Sequence, residues 1–512
     1  MKPLSGLNLF LVNVAVSLAT FMIVLDYSIA NVSIPYIAGD LGVSASGEGT
    51  YVITAFAVGN AIGLPITGWL TKRVGAIKLI CLSTLLFVLF SWVCGLSWRF
   101  DVLVISRFIQ GFVSGPLIPI SQTLLVMTNP PEKKNSALAM WSTIVIAAPI
   151  LGPILGGWIS YDYHWPWIFY INIPVGIASA IILWFILNKS ETQTKKEPLD
   201  WVGLSLLAVG VTCLQFLLDK GEQFDWLKSN IIRTASAVSV ICFTLLIVWS
   251  ATTARPLIQL YLFKIRTYAI SVFHIAIAYA IYFGSVVLVP LWLQESMNYT
   301  SIWAGWAVAP VGIAPLFFSV FIPKLLKRFG APILLSLCFV IFAFSCFYTI
   351  YNLDTDVDFF HIAFSRFLLG CGMGFFITPL FAMSVQDVPT ESLANSTGMF
   401  HFVRALFGGI GTSVFTTMWE RRSEYHHAIL GENVTAFSQQ TTLFFDQLGD
   451  LGLKGKRALE LTNDLLGQQA DVLSINDCFY FMGWLFLALL LSIPFCWTKK
   501  KNTGPVEVHV AE

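Results

Sequence analysis

The chain has 512 residues, of which 56% are hydrophobic and only 12% charged, and its mean hydropathy is +0.75. Soluble domains carry roughly a quarter of their residues as charges, so a soluble globular fold is excluded, and a net charge of +1 gives no electrostatic reason to expect nucleic acid as a partner. Apolar runs of about 20 residues, long enough to cross a ~30 Å hydrocarbon core as helices, recur from end to end, without the short alternating segments of a transmembrane barrel. The predicted class is an all-α polytopic membrane protein.

Apolar runs between polar breaks predict fourteen spans. Six lie near 9–36, 49–70, 78–97, 102–126, 136–158 and 166–187. Two follow near 201–218 and 231–250, and six more near 269–293, 302–323, 332–351, 359–384, 397–418 and 477–497. The first run carries no small-residue cleavage site and reads as an uncleaved helix rather than a removable signal peptide. The nine cysteines fall almost entirely inside apolar runs and read as small buried hydrophobes.

Lys and Arg fix the expected orientation. One set of alternate loops holds Lys72, Arg73, Lys78, Lys133, Lys134, Lys189, Lys195, Lys196, Arg255, Lys264, Arg266, Lys324, Lys327 and Arg328, and the tail Lys499-Lys500-Lys501 lies on the same side. The opposite short loops carry only Arg99, Lys220, Lys228 and Arg233, beside acids such as Asp354, Asp356 and Asp358. The positive-inside rule then places both termini in the cytoplasm and requires an even number of spans. The one long non-membrane segment, 420–476, falls outside the membrane and contains a polar, helix-compatible run from Lys456 to Asp471; it reads as a flexible connector or a docking surface.

The two halves echo one another. Ser106-Arg107-Phe108-Ile109-Gln110-Gly111, with Gly115 following, recurs as Ser365-Arg366-Phe367-Leu368-Leu369-Gly370, with Gly374 following. Leu70-Thr71-Lys72-Arg73-Val74-Gly75 recurs as Leu325-Leu326-Lys327-Arg328-Phe329-Gly330 at nearly the same offset. One duplication explains both matches. The expected organisation is a six-helix bundle over 1–190, two inserted helices with linkers over 191–265, a second six-helix bundle over 266–500 and a cytoplasmic tail over 501–512.

In the fifth span, Ala148, Gly152 and Gly156 share one helical stripe, and Pro149, Pro153 and Gly157 share the next. Small residues four apart let helices approach closely, and prolines bend them. Arg107 and Arg366 place permanent charges inside apolar helices, where a guanidinium is functional by default or snorkels to the interface. Asp26 is the single carboxylate well inside the first span; burial favours reversible protonation of such a group, and the alternative is a carboxylate hydrogen-bonded to Ser28 or Asn31. Asn31, Gln110, Arg404 and Glu295 are candidate contacts for substrate or for the coupling group. His274 and His401 read as packing residues. Aromatic side chains including Tyr279, Tyr282 and Phe283 suit interfacial belts or the wall of a central cavity.

These strings together resemble the major facilitator superfamily along nearly the whole chain, and within it the fourteen-span drug:proton antiporters of EmrB type. The resemblance rests on Leu25-Asp26-Tyr27-Ser28-Ile29-Ala30-Asn31-Val32-Ser33-Ile34-Pro35, Arg107-Phe108-Ile109-Gln110-Gly111, Gly115-Pro116-Leu117-Ile118-Pro119 and the fifth-span run Ala148–Gly157. Trp165-Pro166-Trp167-Ile168-Phe169-Tyr170-Ile171-Asn172-Ile173-Pro174 and Arg404-Ala405-Leu406-Phe407-Gly408-Gly409-Ile410-Gly411 complete it. It implies a major facilitator fold of two six-helix bundles plus two inserted helices. It implies efflux of hydrophobic or amphipathic drugs across the bacterial inner membrane, driven by a proton gradient without a cofactor. Asp26 and Arg107 are then proton-coupling residues, and the fifth-span run becomes the exporter motif. It also implies a periplasmic adaptor of the membrane-fusion type (EmrA-like) and an outer-membrane channel (TolC-like). A dedicated exporter of one metabolite, fatty acid or siderophore would share the same motifs. Gly68-Trp69-Leu70-Thr71-Lys72-Arg73-Val74-Gly75 resembles the superfamily's cytoplasmic gate loop, with Gly68, Arg73 and Gly75 in place and Lys72 where an Asp is usual.

Overall fold

A computed structural model describes residues 4–43, 48–195, 197–319, 321–435 and 437–496. Lys196, Lys499-Lys500-Lys501 and the tail 501–512 lie outside the described residues. The structure is helical, with no strand among the described residues. The N-terminal half comprises α1 (Gly6–Leu41), α2 (Tyr51–Val74), α3 (Ala76–Gly95), α4 (Phe100–Ser114), α5 (Leu117–Thr128), α6 (Lys134–Asp162), α7 (Trp167–Tyr170) and α8 (Asn172–Leu187). Then come α9 (Trp201–Lys220) and α10 (Asn230–Thr252). The C-terminal half comprises α11 (Arg266–Glu295), α12 (Ser301–Val308), α13 (Pro310–Ser319), α14 (Ile322–Phe329), α15 (Ala331–Asn352), α16 (Phe359–Gly374), α17 (Ile377–Val385), α18 (Leu393–Glu432), α19 (Gln439–Asp450) and α20 (Lys456–Leu490). Eleven helices among the described residues are long and apolar enough to cross a membrane, or twelve if the bent pair Trp303–Phe318 and Ile322–Phe329 counts as one span.

The sequence repeat has a physical counterpart. Gly75 (φ 96°, ψ 153°) and Gly330 (φ 81°, ψ 166°) end α2 and α14 in nearly the same backbone conformation, one that only glycine adopts freely. The repeated Lys-Arg-x-Gly string therefore encodes one sharp helix end twice. The Ser-Arg-Phe helices also break at matching places, between Ser114 and Leu117 and between Gly374 and Ile377. A β-carbon on Gly111 would overlap the Phe56 carbonyl oxygen of α2, and one on Gly370 would overlap the Val311 carbonyl oxygen of α13. In each half a glycine face thus lets the broken helix press backbone to backbone on the same neighbour.

The halves meet at the end that carries the lysine-rich loops. Gly68 abuts Asn395, whose Cα would lie 2.9 Å from a β-carbon on that glycine, and Gly398 packs on the Leu64 carbonyl oxygen. Ser142 of α6 bonds Thr378 of α17 at 3.3 Å, and His401 of α18 bonds Gln122 of α5 at 2.6 Å. That end is closed.

Segment 420–476 departs from the loop expected there. Helix α18 continues to Glu432, α19 occupies Gln439–Asp450, and the last long helix starts at Lys456. The expected polar connector is instead a helical extension of two spans. Its base is tied: Arg422 Nε donates to Asp477 at 2.7 Å, His426 Nε2 lies 2.7 Å from the same carboxylate, and Asp471 accepts from Ser296 at 2.6 Å. These polar residues find their partners in neighbouring elements rather than in water.

Candidate functional site

Asp26 and Arg107 meet in the interior of the N-terminal half, each side chain 0% exposed. Helix α1 delivers the carboxylate and α4 the guanidinium, and the two form a direct ion pair. The carboxylate also accepts from Asn172 Nδ2 at 2.8 Å and from Gln110 Nε2 at 3.3 Å. Arg107 donates through Nε to the Val52 carbonyl of α2 at 3.2 Å and through Nη1 to Gln110 Oε1 at 2.7 Å. Ser91 accepts from the Gln110 amide at 2.8 Å and the Asn172 amide at 3.4 Å. Phe56 and Phe169 face the guanidinium at 4.4 and 5.3 Å.

Two buried atoms here have no partner: Arg107 Nη2 and Asn172 Oδ1. A buried orphan costs about 1–3 kcal/mol, so the cluster is less than fully satisfied in this state. It holds one spare donor and one spare acceptor. Protonation would turn the Asp26 carboxylate from pure acceptor into a donor, and Asn172 Oδ1 is an open acceptor on a residue already bonded to it. The amides that bond the carboxylate are Asn172 and Gln110, whereas Asn31, an expected alternative partner, is exposed on α1. Arg107 is not a snorkelling residue either: complete burial keeps it from the interface.

The other sequence candidates fall elsewhere. Arg366 is equally buried, yet it donates to Ser365 Oγ, the Ser285 carbonyl and Thr349 Oγ1 at 3.1–3.2 Å, and faces Phe479 at 5.1 Å. Among the described residues it has no carboxylate partner. Arg404 stacks on Tyr279 at 5.3 Å, and Tyr279 stacks on Phe283 at 5.6 Å. Glu295 is exposed at the end of α11. His274 bonds Ser492 Oγ at 2.8 Å and stacks on Phe339. His401 packs on Phe381 and Phe400 while joining the two halves.

The exporter-motif glycines divide. Gly152 is pressed on Ser28, and a β-carbon on Gly156 would lie 3.0 Å from the Ile29 carbonyl oxygen. These two let α6 lie along α1 within three residues of Asp26. Gly157 faces open space. The side chains of Pro149 and Pro153 lie outside the described residues.

At the lysine-rich end, Lys72 pairs with Glu197 at 3.7 Å, and Trp69 Nε1 donates to the Glu197 carbonyl at 3.1 Å. Lys72, at the position where an Asp is usual, thus faces a carboxylate of the linker after α8. Glu191 accepts from the Ile77 and Lys78 backbone N–H groups at 3.0 and 2.9 Å, capping α3 beside Gly75. Arg73 is exposed.

Residues 16–412 match the sequence profile of the Major Facilitator Superfamily. The chain belongs to it. It is 44% identical over 491 residues to the multidrug export protein EmrB of Escherichia coli K12, covering 96% of this chain and 95% of that relative. It is 40% identical over 498 residues to the fatty acid resistance protein FarB of Neisseria gonorrhoeae, covering 97% of each. Among solved structures, the human organic anion transporter MFSD10 superposes with a TM-score of 0.60 at 13% identity, covering 96% of this chain and all of that one. That likeness concerns the fold. Within the superfamily the chain is a multi-pass membrane protein of EmrB type.

Sequence reasoning passed over three parts of this superfamily member's buried cluster. Asn172 stood inside a quoted string without a role, and its signal is a lone amide in the apolar run Tyr170–Ile173. Ser91 is one of three hydroxyl residues in α3, with Ser83 and Thr84, and nothing in the sequence sets it apart. The Val52 carbonyl has no signal either, because a backbone acceptor leaves no trace in sequence.

Proposed function

We propose that this chain is a proton-coupled multidrug efflux transporter that moves hydrophobic or amphipathic compounds across the bacterial inner membrane by alternating access. The buried Asp26–Arg107 pair carries this reading. An isolated charge inside a membrane is expensive, and a carboxylate that trades its arginine for a proton changes the cluster's charge without moving a helix. Asp26 acts as the proton carrier. Arg107 pairs with it in the present arrangement, and Asn172 offers an acceptor to the protonated carboxyl. The names of the relatives above, multidrug export and fatty acid resistance, support a lipophilic substrate range.

Both termini lie in the cytoplasm in this reading, so the closed lysine-rich end faces the cytoplasm and the α18–α20 helical extension projects into the periplasm. Fourteen spans divide as 1–190, 191–265 and 266–500, with the α18–α20 extension docking a membrane-fusion adaptor that leads to an outer-membrane channel. Tyr279, Phe283 and Arg404 form the aromatic and cationic wall that substrate meets between the halves.

The test uses Asp26→Asn in purified protein and in proteoliposomes. Substrate-induced proton release and efflux driven by a pH gradient are expected to vanish, while substrate binding stays within threefold of wild type. Normal proton-driven efflux by the variant would remove Asp26 from this role.

A further inference from the structure

A cavity of about 590 Å³ opens at the lysine-rich end, where the linkers flanking α9 and α10 meet the ends of α2 and α18. Trp69 and Lys72 reach it from α2, Asn395 from α18, and Arg255 and Lys264 from the linker after α10. No one part of the chain builds it alone.

The carboxylates in its wall are already engaged. Asp200 accepts from Gly203 N at 2.8 Å, Trp249 Nε1 at 2.9 Å and Leu257 N at 3.0 Å, and Glu197 pairs with Lys72. Arg255 and Lys264 have no hydrogen-bond or ion-pair partner among the described residues. The hydroxyl of Ser250, a residue only 6% exposed, and the buried Gln259 Oε1 lie in the same wall, both without a partner. A buried serine in a helix ordinarily bonds the carbonyl four residues back; this one does not. The cavity therefore combines two exposed cations that have no protein partner among the described residues with an orphaned serine hydroxyl, donors that an anion with several oxygens would satisfy. The orphaned amide oxygen would take a hydroxyl donor of the occupant. Trp201, 69% exposed in the first turn of α9 beside Asp200, is placed as an interfacial anchor. That sets the cavity at headgroup depth.

We propose that this cavity is a binding site for a phosphate-bearing anion. Arg255 and Lys264 take its charge, the Ser250 hydroxyl donates to one of its oxygens, and the Gln259 amide holds a neighbouring polar group. An acidic phospholipid headgroup and free phosphate are two sources of this chemistry. Because the wall includes both the α2 end and Asn395, which abuts Gly68, an occupant binds more tightly when this end is closed.

The experiment takes the delipidated full-length protein in neutral detergent and follows thermal unfolding during titration with short-chain phosphatidylglycerol, phosphatidylcholine of matched chains, and inorganic phosphate. Saturable stabilisation by phosphatidylglycerol, with half-saturation raised at least tenfold in R255Q/K264Q, supports a lipid headgroup. The same pattern with inorganic phosphate at comparable concentration supports the free anion. R255K/K264R, which keeps the charge, is expected to stay within threefold of wild type and controls for misfolding of the neutral variant. Native mass spectrometry of the wild type, expected to retain one phosphatidylglycerol in preference to phosphatidylcholine, is independent of any variant. Equal response to the two lipids with no response to phosphate, or equal response of wild type and R255Q/K264Q, overturns the assignment.

Discussion

Breaking a buried ion pair from one side costs about 3–5 kcal/mol, whereas replacing both partners with neutral groups of similar shape is often nearly neutral. The Asp26–Arg107 pair meets the conditions for that contrast, since both side chains are 0% exposed. In Asp26→Asn, Arg107 still faces the Val52 carbonyl and Gln110 Oε1, neutral acceptors that soften the loss, so a cost of about 3 kcal/mol is expected. In Arg107→Met, the carboxylate keeps only the Gln110 and Asn172 amides, and the cost moves toward about 5 kcal/mol. The double variant should be less destabilised than either single one, a departure from additivity of at least about 5 kcal/mol. Reversible unfolding in mixed micelles measures all four proteins, with substrate binding as a control for local integrity. Transport should stay lost in the double variant, because restored stability does not restore a titratable group. Two single losses that simply add would refute the buried-pair reasoning.

Gly68→Val should reduce efflux at least tenfold without loss of insertion, because its side chain collides with Asn395 at the closed end; partial recovery in Gly68→Val/Asn395→Gly checks the cause, and unchanged efflux counts against this contact as the gate. Gly152→Val should disable transport through its clash with Ser28, whereas Gly157→Ala, which meets nothing within 4 Å, should stay within twofold of wild type in vesicle efflux. Glu420 lies where α18 passes the expected end of its span; burial, then the charges of Glu222, Glu295 and Glu424, push its carboxyl up from 4.5 to about 7. A raised carboxyl pKa makes stability fall as pH rises through that interval, and the loss is complete above it. Glu420→Gln should therefore melt above wild type at pH 8 and together with it at pH 4; a difference independent of pH contradicts the assignment.

Much of the fold was legible because membrane helices announce themselves by length and apolarity, and because the duplicated strings carry their own physics. Gly75 and Gly330 mark one helix end twice, and Gly111 and Gly370 mark one helix contact twice. Segment 420–476 was legible in part: the helix-compatible run Lys456–Asp471 lies in α20, but polar composition did not show that α18 continues to Glu432. Its helicity depends on pairs such as Arg422 with Asp477, 55 residues apart. At the site, Asp26 and Arg107 were each conspicuous as charges in apolar runs, but their pairing is a tertiary fact with 81 residues between them. Lys72 looked like a departure from the gate loop's charge pattern until the fold brought Glu197 beside it.

The duplication supplies two similar scaffolds, and among the described residues a carboxylate faces the repeated arginine in only one of them. Arg366 repeats Arg107 in sequence and burial, yet its partners are neutral oxygens, and a guanidinium among them has no charge to exchange. In the proposed function, coupling begins in the N-terminal half and reaches the C-terminal half; α6 touches both, through Ser28 and Thr378, but α2 is the element that bonds Arg107 itself. Its Val52 carbonyl accepts from Arg107, and Gly68 on the same helix abuts Asn395 of α18, 16 residues and about 24 Å along the helix. Arg107→Lys separates charge from linkage. A lysine keeps the positive charge beside Asp26, but its single ammonium lacks the fork that holds Asp26 through Nη1 and Val52 through Nε together. Substrate-induced proton release should persist in the purified variant while efflux turnover falls at least tenfold. Full turnover in Arg107→Lys would show that the positive charge alone suffices and that α2 is not the link.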